Sequence, residues 1–261
     1  MKKIFKTIVS KAFNLGLDEC NNLGKKIVVK KEINRFLDIG CGDGKLTMEF
    51  AKIIKPKEIH GIEFVDEWRQ QAESRGIKCT KCDLNNGWAY DDDFFDIILS
   101  SQNIEHMHNT RLYLEECHRC LRPGGQLIVL TENLSSWPNI GSLFLGWQPF
   151  SMISIDNWNI GNPLTLHSDG PEKNKFNDFL DKLGKYKENN IRSGLTGHVR
   201  VLSFIGLKHI IKKIGFENVR IYSRGYPPIW GKLSNLFCCI DRRHGHFLIA
   251  TGFKEENYKK Y

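Results

Sequence analysis

The sequence predicts an α/β protein, a mostly parallel sheet with helices on both faces. Three observations carry that expectation. Short β-rich runs alternate with helical runs across residues 35–131. Residues 95–100 are nearly all apolar apart from Asp96, as a strand buried on both faces must be. A glycine turn at residues 40–44 joins the first β-run to a helix.

Residues 35–39 read as the first strand, followed by the glycine turn and a helix to about Ile54, which Pro56 stops. Residues 58–63 form the second strand, and Asp66 starts a helix to about Arg75. Residues 77–82 and 95–100 are the third and fourth strands. A helix over 109–121 is ended by Pro123, Gly124 and Gly125, and 126–131 is the fifth strand. The rhythm then breaks until about residue 197. A structureless loop of that length is uncommon inside a compact domain, so this stretch is expected to carry helices and cap the sheet edge. It resumes with an amphipathic helix over 203–214, capped by Ser203, and with strands over 216–222 and 246–253. The expected organisation is a basic helical arm, 1–34, and one domain, 35–261, with a capping insertion at about 132–197.

Composition narrows the class. Sixteen Phe, seven Tyr and six Trp in 261 residues exclude global disorder. No apolar run reaches about 18 residues, so no membrane-spanning helix is expected. The first residues are basic, but Lys6 and Lys11 interrupt the apolar run and no small-residue cleavage site follows, so no secretory signal is read. Scattered thiols then point to a reducing, cytoplasmic setting. Of the net charge of +8, residues 1–34 hold +5, with eight lysines against Asp18, Glu19 and Glu32. Ile4, Phe5, Ile8, Val9, Ala12 and Phe13 recur at helical spacing, so the arm reads as an amphipathic helix docked on the domain. Contact with a membrane surface or with nucleic acid is the alternative, nucleic acid being the less favoured. Cys79 with Cys82 and Cys117 with Cys120 have CxxC spacing. The first pair falls in a strand, where positions three apart face opposite sides, so no metal site is expected.

The sharpest signal is LDIGCGDGKL, residues 37–46. Its G-x-G-x-G spacing fails the G-x-G-x-x-G dinucleotide pattern, and no phosphate-cradling G-x-x-x-x-G-K-[ST] is present. Asp38 precedes the glycines, where an acid repels phosphate and suits a cation. Glu63 lies 19 residues after Gly44, where a carboxylate can accept from both hydroxyls of a ribose. Asp83 could accept from an adenine amino group. The implied ligand has a ribose, an adenine and positive charge, but no phosphate, which S-adenosylmethionine satisfies. Each acid also has a plainer reading: Asp38 as a turn cap, Glu63 as a solvated strand end, Asp83 as a turn residue.

LDIGCGDG, GIEF, KCDL, FDIILSSQNIEHM and LRPGGQLIVLTEN, in that order and spacing, resemble the class I S-adenosylmethionine-dependent methyltransferases. The resemblance covers about residues 35–131 and resumes at 198–253. It implies a Rossmann-like seven-stranded sheet with an antiparallel last strand. It places Asp38, Gly40 and Gly42 near the methionine part, Glu63 on the ribose, and Asp83 with Leu84 at the adenine, with Cys41 and Phe64 also among the cofactor-binding residues. Ser101 would touch the methionine part through its backbone.

Methyl transfer from a sulfonium is an in-line displacement, so the protein supplies alignment and exclusion of water. A hydroxyl acceptor also needs a base. His106 follows the fourth strand, at the edge where ligands bind in such sheets, and Glu105-His106 resembles an EH pair of these relatives. His198 and Arg200, in GHVRVLS, resemble an H-x-R element that could face substrate; His167 is a further candidate. Ser-Ser-Gln-Asn after the fourth strand argues against adenine-N6 and glutamine methylases, and no Pro-Cys pair suggests a cytosine-C5 enzyme. No carboxylate cluster suggesting a magnesium-dependent catechol enzyme is evident. The best reading is O-methylation of a small molecule or glycan; an RNA or protein methyltransferase using the basic arm is the alternative. Trp137 and Trp147 could stack on a sugar or aromatic ring, Trp147 within a lid turn at 146–149. An amphipathic element at 230–240 could pack on the sheet or touch a membrane.

Overall fold

The computed structural model describes residues 2–29, 31–155, 158–164, 197–229 and 231–256. Helix α1 (Lys2–Lys26) leads into β1 (Arg35–Ile39), α2 (Lys45–Ile54), β2 (Glu58–Ile62), α3 (Asp66–Ser74), β3 (Lys78–Thr80) and β4 (Phe95–Ser101). After a 3-10 turn at Ile104–His106 come α4 (Thr110–Cys120), β5 (Leu121–Glu132) and α5 (Trp137–Phe144). A small hairpin follows, β6 (Ser154–Ile155) with β7 (Trp158–Asn159). Then come α6 (Phe204–Ile214), β8 (Glu217–Arg224), α7 (Gly231–Ile240) and β9 (Phe247–Phe253).

One sheet organises the molecule, with strand order β3-β2-β1-β4-β5-β9-β8. β1 to β5 pair in parallel, while β9 runs antiparallel to both β5 and β8. This is the seven-stranded arrangement with an antiparallel last strand that the motifs implied. Leu37, Ile98, Leu127 and Leu248 face α4 and α6 on one side, where Tyr113, Leu114, Leu207 and Ile211 cover them. Phe36, Ile97, Ile128 and Phe247 face α1 and α2 on the other. The alternation along each strand builds both layers of core.

Several boundaries differ from expectation for local reasons. The third strand spans three residues rather than 77–82, because β3 is an edge strand that pairs only with β2. The fifth begins at Leu121, directly after α4, because Leu121 is already extended and pairs with Phe95. Pro123 and Gly124 bulge out of that ladder before pairing resumes at Ile97 with Gln126. α6 is capped as expected: the Ser203 hydroxyl oxygen accepts from Gly206 N at 3.2 Å. Within the insertion, α5 and the hairpin are described; 165–196, with His167, and Trp230 lie outside the described residues.

α1 docks across β9, β8 and β5. The line it turns to the sheet is Ala12, Gly16, Cys20 and Gly24, small at every fourth position, with Phe13, Leu17 and Leu23 packing at its sides. The chain beyond α1 is stitched to β5 by Gln126, whose Oε1 accepts from Val29 N and whose Nε2 donates to Ile27 O, both at 2.9 Å. No described helix is long and apolar enough to cross a membrane.

Candidate active site

Parallel strands point their C-terminal ends at one edge, and the loops leaving that edge gather the candidate residues. Gly40 N and Cys41 N, just after β1, both donate to Ile62 O at the end of β2, at 2.8 and 3.0 Å. Gly40 has φ 67°, and a Cβ there would meet Asn103 Nδ2 at 1.7 Å. The left-handed conformation strains any side chain there, and one would push the Asn103 amide aside. Asn103 in turn donates to Ile39 O at 3.1 Å, so the loop after β4 closes over the glycine turn.

Glu63, directly after β2, is buried against this turn. Its Oε2 accepts from Gly42 N at 2.9 Å and its Oε1 from Val65 N at 2.8 Å. The carboxylate retains lone-pair capacity for a ligand beyond these backbone donors. Asp38 is buried beneath the turn and accepts from the Thr47 hydroxyl at 2.6 Å. Burial pushes the Asp38 carboxyl up to about 7, with the Glu63 charge adding to the rise. Burial also raises Glu63, opposed by the backbone N–H groups of Val65, Gly42 and Phe64. Two acids destabilised as anions make a favourable place for a cation and a poor one for phosphate. Gln102 Nε2, on the loop over the turn, is a buried donor with no hydrogen-bond partner among the described residues. This donor set fits a phosphate-free, positively charged nucleoside. Cys41 is buried in the turn, Phe64 is half-buried beyond Glu63, and Ser101 ends β4.

A second cluster lies beside the first on the same edge. Glu105 is fully buried, and its Oε2 accepts from the Thr131 hydroxyl at 2.8 Å. Its backbone oxygen accepts from Val199 N at 2.8 Å and Arg200 N at 3.0 Å, which draws the segment after the insertion down onto the sheet. His198 Nδ1 lies 2.7 Å from Ser151 O and 3.9 Å from Glu132 Oε2, and His106 Nδ1 lies 3.1 Å from Gly197 O. A carbonyl only accepts, so Nδ1 of each imidazole is the donor, and in the neutral ring Nε2 carries the lone pair. The two rings meet edge-on at 4.8 Å. Burial lifts Glu105 to about 7, partly offset by His198. Glu105, His106 and His198 each present one ligand atom within 4.8 Å of the others, a set able to hold a divalent cation or to pass a proton.

Asp83 lies beyond the end of β3, exposed in a turn, where Oδ1 accepts from Asn85 N at 3.0 Å and Oδ2 from Asn86 Nδ2 at 3.0 Å. Leu84 packs on the core from that turn. Arg200 joins the cluster by its backbone, with its side chain exposed. Trp147 is half-buried after α5, and among the described residues no ring contact or hydrogen bond ties its indole to the cluster. The turn at 146–149 is pinned, since Gln148 N donates to Gly161 O and Gln148 Nε2 to Met152 O, each at 2.8 Å. Trp137 directs its Nε1 to the Tyr226 hydroxyl and Asp241. Cys79 Sγ approaches Cys41 Sγ at 4.0 Å rather than Cys82, and Cys117 and Cys120 are buried in α4.

Sequence reasoning missed Asn103, Thr131 and Ser151, and placed Glu132 only at the edge of the insertion. It also found no carboxylate cluster, whereas folding brings Glu105 and Glu132 together at His198. Nothing local marks these residues: they come from the ends of β4 and β5 and from both sides of the insertion.

The methyltransferase domain family matches residues 37–129. A ubiquinone biosynthesis O-methyltransferase of Parvibaculum lavamentivorans is 30% identical over 133 residues, which is 44% of this chain and 49% of that protein. A demethylmenaquinone methyltransferase of Lysinibacillus sphaericus is 25% identical over 51% of this chain and 58% of its own length. The chain thus spans about half the length of these curated relatives. Among solved structures, an S-adenosylmethionine-dependent methyltransferase of Thermotoga maritima superposes with a TM-score of 0.56 at 18% identity, covering 97% of this chain and 99% of that one. That likeness concerns the fold.

Proposed function

We propose that this chain, whose residues 37–129 carry a class I S-adenosylmethionine-dependent methyltransferase domain, transfers a methyl group to a hydroxyl oxygen of a small molecule. The observation that carries the reading is the pair of buried acids, Asp38 and Glu63, bracketing a glycine turn beside the two histidines. S-adenosylmethionine, when bound, supplies a methyl group on an already activated sulfonium. Glu63 would accept from the ribose hydroxyls, and Asp38 would place its carboxyl beneath the turn, on the side suited to a cation. The name of the Parvibaculum relative supports an oxygen acceptor.

The chain's own contribution to chemistry is the acceptor's proton. His198 is oriented by Ser151 O, so its Nε2 lone pair can receive that proton, and Glu132 stabilises the imidazolium that forms. His106 packs against His198 and supports the same orientation.

Calorimetry with S-adenosylhomocysteine tests the cofactor half. The parent protein should bind with a Kd near micromolar and Glu63→Ala should lose binding; a parent that shows no heat of binding defeats the reading. The acid–base half is tested with labelled S-adenosylmethionine and a panel of phenols and sugars. His198→Ala should lower kcat by about 100-fold or more with unchanged S-adenosylhomocysteine affinity. Labelling of RNA or protein alone would favour the basic-arm alternative.

A further inference from the structure

The connection between β8 and β9 holds α7 and lies over the same sheet edge as the site, because β8 ends at Arg224 opposite Phe247, where β9 begins. α5 leaves that edge from the end of β5. The two connections are joined. Asn133 Nδ2 donates to Arg243 O and Gly245 O at 2.8 and 2.7 Å. The Trp137 ring lies 4.6 Å from that of His244, and its Nε1 donates to Asp241 at 2.9 Å.

Each helix turns an apolar ridge outward. On α7, Leu233 and Leu236 are each 54% exposed and Ile240 76%, at spacings of three and four residues that share one face. On α5, Trp137 is 46% and Phe144 89% exposed, seven residues apart on one face, with Leu143 and Leu145 beside Phe144. A single exposed leucine is ordinary, but this many large apolar side chains on two joined short helices mark a contact surface.

Among the described residues of the two connections themselves, the exposed charges are cations, while Glu19 of α1 meets the inner side of α7 at Asn235. Lys232, Arg242 and Arg243 are exposed. Asp241 is the one acid in the sequence from 225 to 246, and it is engaged by Trp137, the Tyr226 hydroxyl and His244. Residues 133–145 contain no charged side chain. Apolar side chains rimmed by cations match an anionic bilayer, with the ridge at the acyl boundary and the cations among phosphates.

We propose that the α5–α7 face docks on an anionic lipid bilayer. The docked orientation holds the sheet edge bearing Glu105 and His198 beside the membrane, so that an apolar acceptor can enter from lipid. The docking itself does not depend on the identity of the acceptor or on methyl transfer.

The test is co-sedimentation of the full chain with vesicles of phosphatidylcholine, alone or mixed with phosphatidylglycerol. Binding should require phosphatidylglycerol and weaken as salt is added. The double variant Leu236→Glu/Ile240→Glu should lower partitioning by about tenfold or more. Its melting temperature and S-adenosylhomocysteine affinity should stay at parental values, because both side chains are exposed. Phe144→Glu is the independent second variant, and Lys232→Glu/Arg243→Glu should reduce binding with the ridge intact. No sedimentation with either vesicle overturns the proposal, as does partitioning unchanged in both ridge variants. A dimer in solution that Leu236→Glu/Ile240→Glu dissociates also overturns it, assigning the face to a second copy of this chain.

Discussion

Asp38 shows how one side chain links cofactor recognition to stability. Its carboxyl lies at about 7 in the folded protein and near 4 in an unfolded chain. Between those values the folded state holds a proton that the unfolded state has released. Stability of the unliganded protein therefore falls as pH rises from about 4 to about 7, and is level above that range. Glu105, lifted for the same reason, adds a parallel slope. Asp38→Asn should flatten the fall in melting temperature between about pH 5 and 7 without abolishing it. A variant with the parental slope would show that Asp38 ionises as readily in the folded protein as outside it. Gly40→Ala tests the neighbouring constraint. The added methyl collides with Asn103, so Asn103 must leave Ile39 O and the loop after β4 must lift from the turn. S-adenosylhomocysteine affinity should fall by about tenfold or more, since the backbone itself forms the cradle.

At the scale of elements, α1 is the informative case. Its lysines and apolar positions are visible in the sequence, and they read correctly as a helix. The stripe that packs is less visible, because Ala12, Gly16, Cys20 and Gly24 carry little hydrophobicity of their own. They matter because they are small. A Cβ on Gly24 would already lie 3.1 Å from Leu130, and Phe13 sets its ring edge-on to Phe247 at 5.0 Å. Gly24→Leu should overpack this contact and destabilise the protein by about 1–3 kcal/mol, read from urea denaturation. Ser203→Ala should cost about 1 kcal/mol through loss of the α6 cap. Equal midpoints for Gly24→Leu and the parent would mean that α1 does not bear on the sheet in solution.

For the whole molecule, the distribution of charge and the docking of α1 have to be read together. The +5 of residues 1–34 invites a nucleic-acid reading, yet from Ala12 onward the helix closes the core under β5, β8 and β9. Deleting residues 2–26 uncovers Phe247, Ile249 and Leu130. It should lower the melting temperature by well over 5 °C and weaken S-adenosylhomocysteine binding at every salt concentration, as about 3 kcal/mol or more of lost packing implies. A free nucleic-acid arm would leave both unchanged.

The sequence by itself determined the alternation of strands and helices, the glycine turn with Asp38 and Glu63, and a cofactor without phosphate. Each of these is written within a few neighbouring residues, where hydrophobic period, backbone conformation and the sign of charge act locally. Only the tertiary structure decided that Glu105, Thr131, Glu132, Ser151 and His198 converge. It also released Asp83 into an exposed turn and left α5 and α7 with outward apolar ridges. Those outcomes depend on which strand ends lie side by side in the sheet, and that adjacency is set by packing between residues far apart in the chain.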